Sequence, residues 1–388
     1  MDFSINQEQS MIVDAIQRIC DEFDDDYWLA RDNDGEFPEE FFQKVSQSGW
    51  LGIAMPEEYG GANMGITEAA LMMQTISQSG AGFSGASAIH MNIFGLNPVV
   101  RFGSKELKES ALPPLIRGEQ KACFGVTEPD AGLDTTKLTT FAKKVPGGYS
   151  VTGRKIWIST AQVADKILLL ARTTPLSEVK KPTEGLSLFY TKLDKNKVEI
   201  REIDKLGRKA VDSNMLFFDE FWIDEADRVG EEGKGFEYLL HGLNPERILI
   251  AAEAVGLAKV ALNKASQYAK DRVVFGRPIG MNQGIQHPLA QCWMQTEAAE
   301  LMVLKAAVTY DENRPCGAYA NAAKYLAAEA AFNSCQTAIQ TLGGMGYAKE
   351  YHVERYLRES FIPRLAPVSP QLIMSYIAEK VLGLPKSY

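Results

Sequence analysis

The chain has 388 residues and a net charge of −9, with 45% hydrophobic and 23% charged residues. Such an acidic surface argues against nucleic acid as a partner. Five cysteines without a C-x-x-C pair (Cys20, Cys123, Cys292, Cys316, Cys335) and four histidines without H-E-x-x-H argue against a zinc framework or a zinc enzyme.

Residues 1–118 read as a helical domain. Ser4 is positioned to cap a first helix bearing Met11, Ile12, Ala15, Ile16 and Ile19 at helical spacing. The acidic start, Met1 to Glu8, has no apolar core, so no signal peptide is expected there. Pro38-Glu39-Glu40 opens a helix with Phe41, Phe42 and Val45. Pro56 to Gly61 is a loop, and helical patterns resume from Thr67.

Residues 119–231 change to a strand-like period. Val145-Pro146-Gly147-Gly148-Tyr149 is a turn between β-rich runs. Ile156 to Ser159, Ile167 to Ala171, Leu186 to Tyr190 and Met215 to Ile223 are strand candidates, which suggests a small sandwich or barrel. Residues 232–388 return to helix. Asn244 is placed as an N-cap with Pro245 in the first turn, and that helix runs to near Asp271. A second spans about Gln286 to Tyr310, and a third runs from about Ala318 to a stop at Gly343-Gly344. No run of 18 uncharged apolar residues occurs, Glu253 and Lys259 interrupting the longest, so a cytoplasmic chain without membrane spans is expected.

Four motifs carry chemistry: Phe124 to Pro129 with Ala131-Gly132 and Asp134; Lys155-Ile156-Trp157-Ile158-Ser159; Arg272 to Gly276 followed by Gln283; and Gln340 to Tyr347. In this order they resemble the acyl-CoA dehydrogenase family over nearly the whole chain. The resemblance implies an α+β fold, with an N-terminal α-helical domain, a middle β-barrel or sandwich and a C-terminal four-helix bundle. It implies FAD as cofactor. The Val126-Thr127 strand and the Trp157–Ser159 strand would hold the isoalloxazine, with Phe124 beside them. Arg272, Phe275 and Gln283 would reach a neighbouring subunit's FAD, and Gln340, Gly343 and Gly344 would complete that site. Ser369 and Gln371 match polar positions that approach FAD. A homo-oligomer follows, a tetramer or dimer, with an electron-transferring flavoprotein as electron acceptor and fatty-acid β-oxidation as the setting.

Dehydrogenation next to a thioester needs a base for the α-proton and a hydride acceptor at the β-carbon. The family keeps its glutamate base at one of two sites. The C-terminal one falls here on Pro367, so it is empty. The other, used by long-chain and isovaleryl-type members, falls on Glu246, before Arg247. Glu246 is thus the expected base, Glu128 being the structural carboxylate of the family. Asn244 and Arg247 are expected at the substrate, Arg247 orienting the loop or the CoA portion. Leu133 replaces a serine that touches substrate in relatives, and Ala86 and His90 lie on the helix lining the acyl pocket. The small Ala86 and Ala88 favour a medium-to-long or branched acyl chain. Proline has no N–H to offer the thioester carbonyl. Pro367 therefore leaves an alternative: an FAD-binding relative with another oxidation, such as that of nitroalkane oxidases or monooxygenases, or with no acyl-CoA activity.

Overall fold

The computed structural model describes residues 5–94 and 96–387. The first helices are α1 (Gln7–Cys20), α2 (Asp25–Asp34), α3 (Glu39–Gln47), α4 (Ile66–Ile76), α5 (Gly82–Phe94), α6 (Asn97–Phe102) and α7 (Lys105–Ile116). Ser4 lies outside the described residues. The cap of α1 is Asn6, whose side chain accepts from the Gln9 N–H while Gln9 returns a bond to the Asn6 N–H.

Strands follow: β1 (Ala122–Gly125), β2 (Phe141–Val145), β3 (Gly148–Ser159), β4 (Lys166–Arg172), β5 (Leu186–Lys192), β6 (Val198–Glu202), β7 (Ser213–Asp224) and β8 (Arg228–Val229). They join in the order β6-β7-β3-β2-β4-β5-β8, with β1 parallel to β4. The Pro146-Gly147 turn joins β2 to β3, and Gly147 takes the left-handed φ of 83° that this tight connection requires. The pairing of β3 with β7 slips twice, between Val151 and Gly153 and between Lys155 and Ile158. The second slip is a bulge that re-aims Trp157.

The chain ends in α8 (Gly235–Asp271), a short hairpin β9–β10 (Val273–Val274, Arg277–Pro278), α9 (Gln283–Asp311), α10 (Gly317–Leu342) and the broken series α11 (Val353–Glu359), α12 (Ile362–Leu365) and α13 (Pro370–Tyr376). The three long helices pack on one another, with α11–α13 lying against α10 as a discontinuous fourth member. Alanines at 251, 254, 258, 261 and 265 of α8 and at 320, 323, 327 and 331 of α10 are buried, so the helix axes approach closely. A Cβ on Gly256 would stand 2.3 Å from the Gln74 carbonyl oxygen of α4, so the N-terminal and C-terminal helices share one tight core.

One sequence expectation fails here. Asn244 is not an N-cap: α8 starts nine residues earlier, and Pro245 is inside it. An interior proline costs about 3 kcal/mol in an isolated helix. Packing outweighs that cost. Phe102 stacks on Tyr238 with centroids 4.2 Å apart and meets His241 edge-on at 4.9 Å, holding the first turns against α6. Glu246 is therefore an interior helical residue, and a helix-start dipole does not account for it.

Candidate active site

The bulge in β3 presents Trp157 with φ 62° and 57% of its surface exposed, an unusual state for a tryptophan. The Ile156 N–H donates to the Thr127 carbonyl at 2.9 Å, which brings the 126–128 segment beside it. Thr127 is exposed, Val126 is buried beneath it, Phe124 is half-buried on β1, and Leu133 is 65% exposed with φ 64°. Trp157 and the 124–127 segment form an apolar wall with backbone and hydroxyl groups at its rim, and Leu133 lies exposed on the loop that follows. Behind it, Lys155 is fully buried and donates to Glu128 Oε1 at 2.8 Å and to the Val126 carbonyl at 3.0 Å. Glu128 also accepts from the N–H groups of Thr139 (2.6 Å) and Thr140 (3.0 Å), so it is a structural anchor turned away from solvent. Ser159 Oγ accepts from Arg208 Nη2 at 2.9 Å, which leaves its own proton to donate.

Glu246 is partly buried. Its Oε2 has no solvent contact and no hydrogen-bond partner. Desolvation pushes its carboxyl up to about 7, against the pull of His90, Arg247 and Lys324; Glu253 pushes the same way as burial. Glu253 lies two turns further along the same face of α8 and is 0% exposed. His90 Nδ1, from α5, is 2.5 Å from Glu253 Oε1. Arg247 Nη1 donates to Asn244 Oδ1 at 3.1 Å, and both line a cavity of about 750 Å³ with Leu243, Asn321, Val368 and Tyr376. Lys324 Nζ donates to the Val368 carbonyl at 2.5 Å, and burial lowers its pKa to about 8.

The other expected residues stand elsewhere. Arg272, Phe275 and Gln283 are exposed, and Phe275 (99% exposed, φ 53°) forms with Gly276 the tip of the β9–β10 hairpin. Arg272 is 26 residues beyond Glu246, roughly 40 Å along α8, so hairpin and carboxyl do not form one site within one chain. Gln340, Gly343 and Gly344 are exposed at the end of α10, with open space where a Cβ would stand on either glycine. The Ser369 hydroxyl caps α13 by accepting from the Leu372 N–H at 3.3 Å, and Gln371 is exposed in that first turn. Ala86 is buried in the helical core. Sequence reasoning missed Arg208, Lys324 and the partnership of Glu253 with His90. The one signal for Glu253 was a charge inside an apolar helical run.

A flat, hydrogen-bonding ring fits this wall: an exposed tryptophan, a free hydroxyl proton on Ser159 and exposed backbone at Thr127 supply its face and edge. Among the described residues no helix is long and apolar enough to cross a membrane, and no cluster of three or more His, Cys, Asp or Glu is placed to hold a metal ion.

Comparison with known proteins agrees over the full length. Models of the acyl-CoA dehydrogenase N-terminal, middle and C-terminal domains match residues 6–119, 123–221 and 233–379. The acyl-CoA dehydrogenase fadE12 of Mycobacterium bovis is 33% identical over 391 residues, covering 100% of this chain and 99% of its own. A glutaryl-coenzyme A dehydrogenase in complex with glutaryl-CoA superposes with a TM-score of 0.94 at 30% identity, covering 100% of this chain and 98% of that one. The FAD complex of PigA superposes with a TM-score of 0.93 at 27% identity, covering 99% and 100%. The helix–sheet–helix order, the exposed wall and these full-length matches together make the chain a member of the acyl-CoA dehydrogenase family, FAD-dependent oxidoreductases of acyl-CoA.

Proposed function

We propose that Glu246 is the base that removes the α-proton of an acyl-CoA with a medium-to-long or branched acyl chain. The observation that carries this is its carboxyl, partly buried, with one oxygen shut off from water and unpartnered, and with an affinity for protons raised to about 7. A base must approach the acidity of the proton it takes, and a desolvated carboxylate does so. When bound, FAD accepts the hydride from the β-carbon. Val126, Thr127, Trp157 and Ser159 hold its ring. Asn244 and Arg247, which line a cavity between α8 and the C-terminal segment, take the CoA side of the substrate. Pro367 has no N–H, but the N–H of Val368 donates to no described residue. With its carbonyl fixed by Lys324, Val368 is the donor to the thioester carbonyl, where negative charge builds up.

The active unit is a homo-oligomer in which Arg272, Phe275, Gln283 and the Gly343-Gly344 turn complete a neighbour's FAD site. The exposed Phe275 and an exposed face of α9 bearing Trp293, Met294, Leu301 and Val308 support this. An electron-transferring flavoprotein takes the electrons, and the setting is cytoplasmic β-oxidation.

The test is anaerobic titration of the purified yellow protein with straight and branched acyl-CoAs. Bleaching of the flavin band near one equivalent is expected. A flavin that no acyl-CoA bleaches would mean that Pro367 marks a different oxidation. The pH profile is a second check. Glu246 must be ionised to act, so kcat/KM will rise with pH through about 7. A profile flat from pH 5.5 to 8.5, a range set by roughly 1.5 units either side of that value, would rule out this carboxyl as the base.

A further inference from the structure

Three polar side chains from three separate elements lie beyond Glu246, and none of them carries a step of the reaction as described. Glu253 is fully buried two turns along α8 on the face of Glu246, and its Oε2 has no hydrogen-bond partner. His90, from α5, holds the other Glu253 oxygen at 2.5 Å. Arg208, on the loop between β6 and β7, reaches in with a left-handed φ of 54° that a side-chain-bearing residue rarely adopts. Its Nη1 donates to Ser87 Oγ (3.3 Å), one turn before His90 on α5, and its Nη2 donates to Ser159 Oγ (2.9 Å) and Ser213 Oγ (3.2 Å). Arg208 forms no ion pair among the described residues, and its Nε is buried without a partner. One polar strip, Ser159–Arg208–Ser87–His90–Glu253, thus runs from the wall at Ser159 along α5.

A pocket for a plain hydrocarbon is built from apolar side chains, because a buried polar group without a partner is costly. Here an unpaired acceptor, Glu253 Oε2, and an unpaired donor, Arg208 Nε, stand on the same strip. A hydrocarbon tail would leave both unpaired or trap water on them. A carboxylate would be welcome at Arg208 but repelled at Glu253. A neutral group that both donates and accepts suits both.

We infer that the acyl group this enzyme takes carries a hydroxyl beyond its β-carbon, bound by the strip of Glu253, His90 and Arg208. This rests on the reading of Glu246 as the base and of Ser159 as part of the flavin wall. The hydroxyl donates to Glu253 Oε2 and accepts from the guanidinium. It takes no part in the redox step, so the strip selects the substrate.

The experiment compares acyl-CoAs of equal chain length: unsubstituted, hydroxylated at successive positions from the γ-carbon outward, and carboxylated at the end. Anaerobic flavin reduction is followed in the wild type and in Glu253→Leu and Arg208→Met. Sites built around a substrate hydroxyl discriminate strongly against analogues that lack it. One hydroxylated acyl-CoA is therefore expected to exceed its unsubstituted counterpart in kcat/KM by about 100-fold or more. In Glu253→Leu that preference should fall below about 10-fold, the unsubstituted chain gaining in absolute terms because an apolar side chain now faces it. Arg208→Met serves as the second variant should Glu253→Leu fail to fold, with the same expected loss of preference. An unsubstituted chain as the best wild-type substrate would overturn the inference and leave the base assignment intact, as would a hydroxyl preference unmoved in both variants. A carboxylated chain as best substrate would also overturn it. If no acyl-CoA of any kind reduced the flavin, the base reading would fall, and this inference with it.

Discussion

Glu246→Gln will retain FAD and lose substrate-dependent flavin reduction by about 10⁴-fold, the upper range for removal of a general base. Glutamine keeps the shape of the side chain and its place inside α8, but cannot take a proton. The same change has a second, opposite consequence for stability. A carboxyl whose folded-state pKa is raised from 4.5 to about 7 favours its neutral form in the folded protein. Above pH 4.5 the unfolded chain ionises freely while the folded one resists, so this group costs stability as pH rises and the cost levels off above about 7. At pH 8 Glu246→Gln should therefore unfold at equal or higher denaturant concentration than the wild type. A merely structural carboxylate would behave otherwise: its loss would lower stability and leave reduction of the residual flavin near the wild-type rate. Stopped-flow reduction and a denaturant midpoint on the same two proteins separate the cases, and near-wild-type reduction by Glu246→Gln would exclude it as the base.

What could be read in the sequence follows from how local each feature is. Trp157 and Ser159 sit in one motif on one strand, and the turn at Pro146-Gly147 marks where that strand begins. Long helices with an interior rich in alanine announce themselves by period, and α8, α9 and α10 end within a few residues of expectation. The start of α8 did not, because Asn244-Pro245 is a strong local stop that tertiary packing overrides. The stacking of Phe102 on Tyr238 is a contact between residues far apart in sequence, and nothing near position 244 encodes it.

The same limit applies to the site. Glu246 stands out in the sequence as the proposed base because the alternative base position holds Pro367. Its surroundings were not. Glu253 and His90 are separated by 163 residues, and Arg208 reaches Ser87 across 121. A charge amid Ile248-Leu249-Ile250-Ala251-Ala252 signals a buried function, but its partner becomes visible only once α5 is laid beside α8. Glu128 and Lys155 were each part of a quoted motif, yet their pairing rests on the Ile156–Thr127 backbone bond that brings the two motifs together.

That pairing sets the other large effect. Glu128→Gln should destabilise the protein by about 3–5 kcal/mol, the range for stranding one partner of a buried ion pair. Burial alone would raise the Glu128 carboxyl. The charge and hydrogen bond of Lys155, with the donors at Thr139 and Thr140, more than offset it and hold it at about 2. A carboxyl depressed in the folded state contributes stability above its unfolded value of 4.5, lost as pH falls toward 2. That window corresponds to about 3 kcal/mol. The two partners are not equivalent. Lys155→Met leaves Glu128 with the Thr139 and Thr140 N–H groups, whereas Glu128→Gln leaves a fully buried ammonium with the Val126 carbonyl and an amide. Lys155→Met should therefore be the milder change. The double variant Glu128→Gln/Lys155→Met should be more stable than Glu128→Gln alone, because removing the stranded charge removes its desolvation cost. Denaturant midpoints of the four proteins test this, and strictly additive losses would refute the coupling. Because Lys155 also ties down Val126, Glu128→Gln should release FAD more readily, whereas Glu246→Gln should hold it. Two glutamates are thus told apart by what each loses: one the cofactor wall, the other the proton transfer.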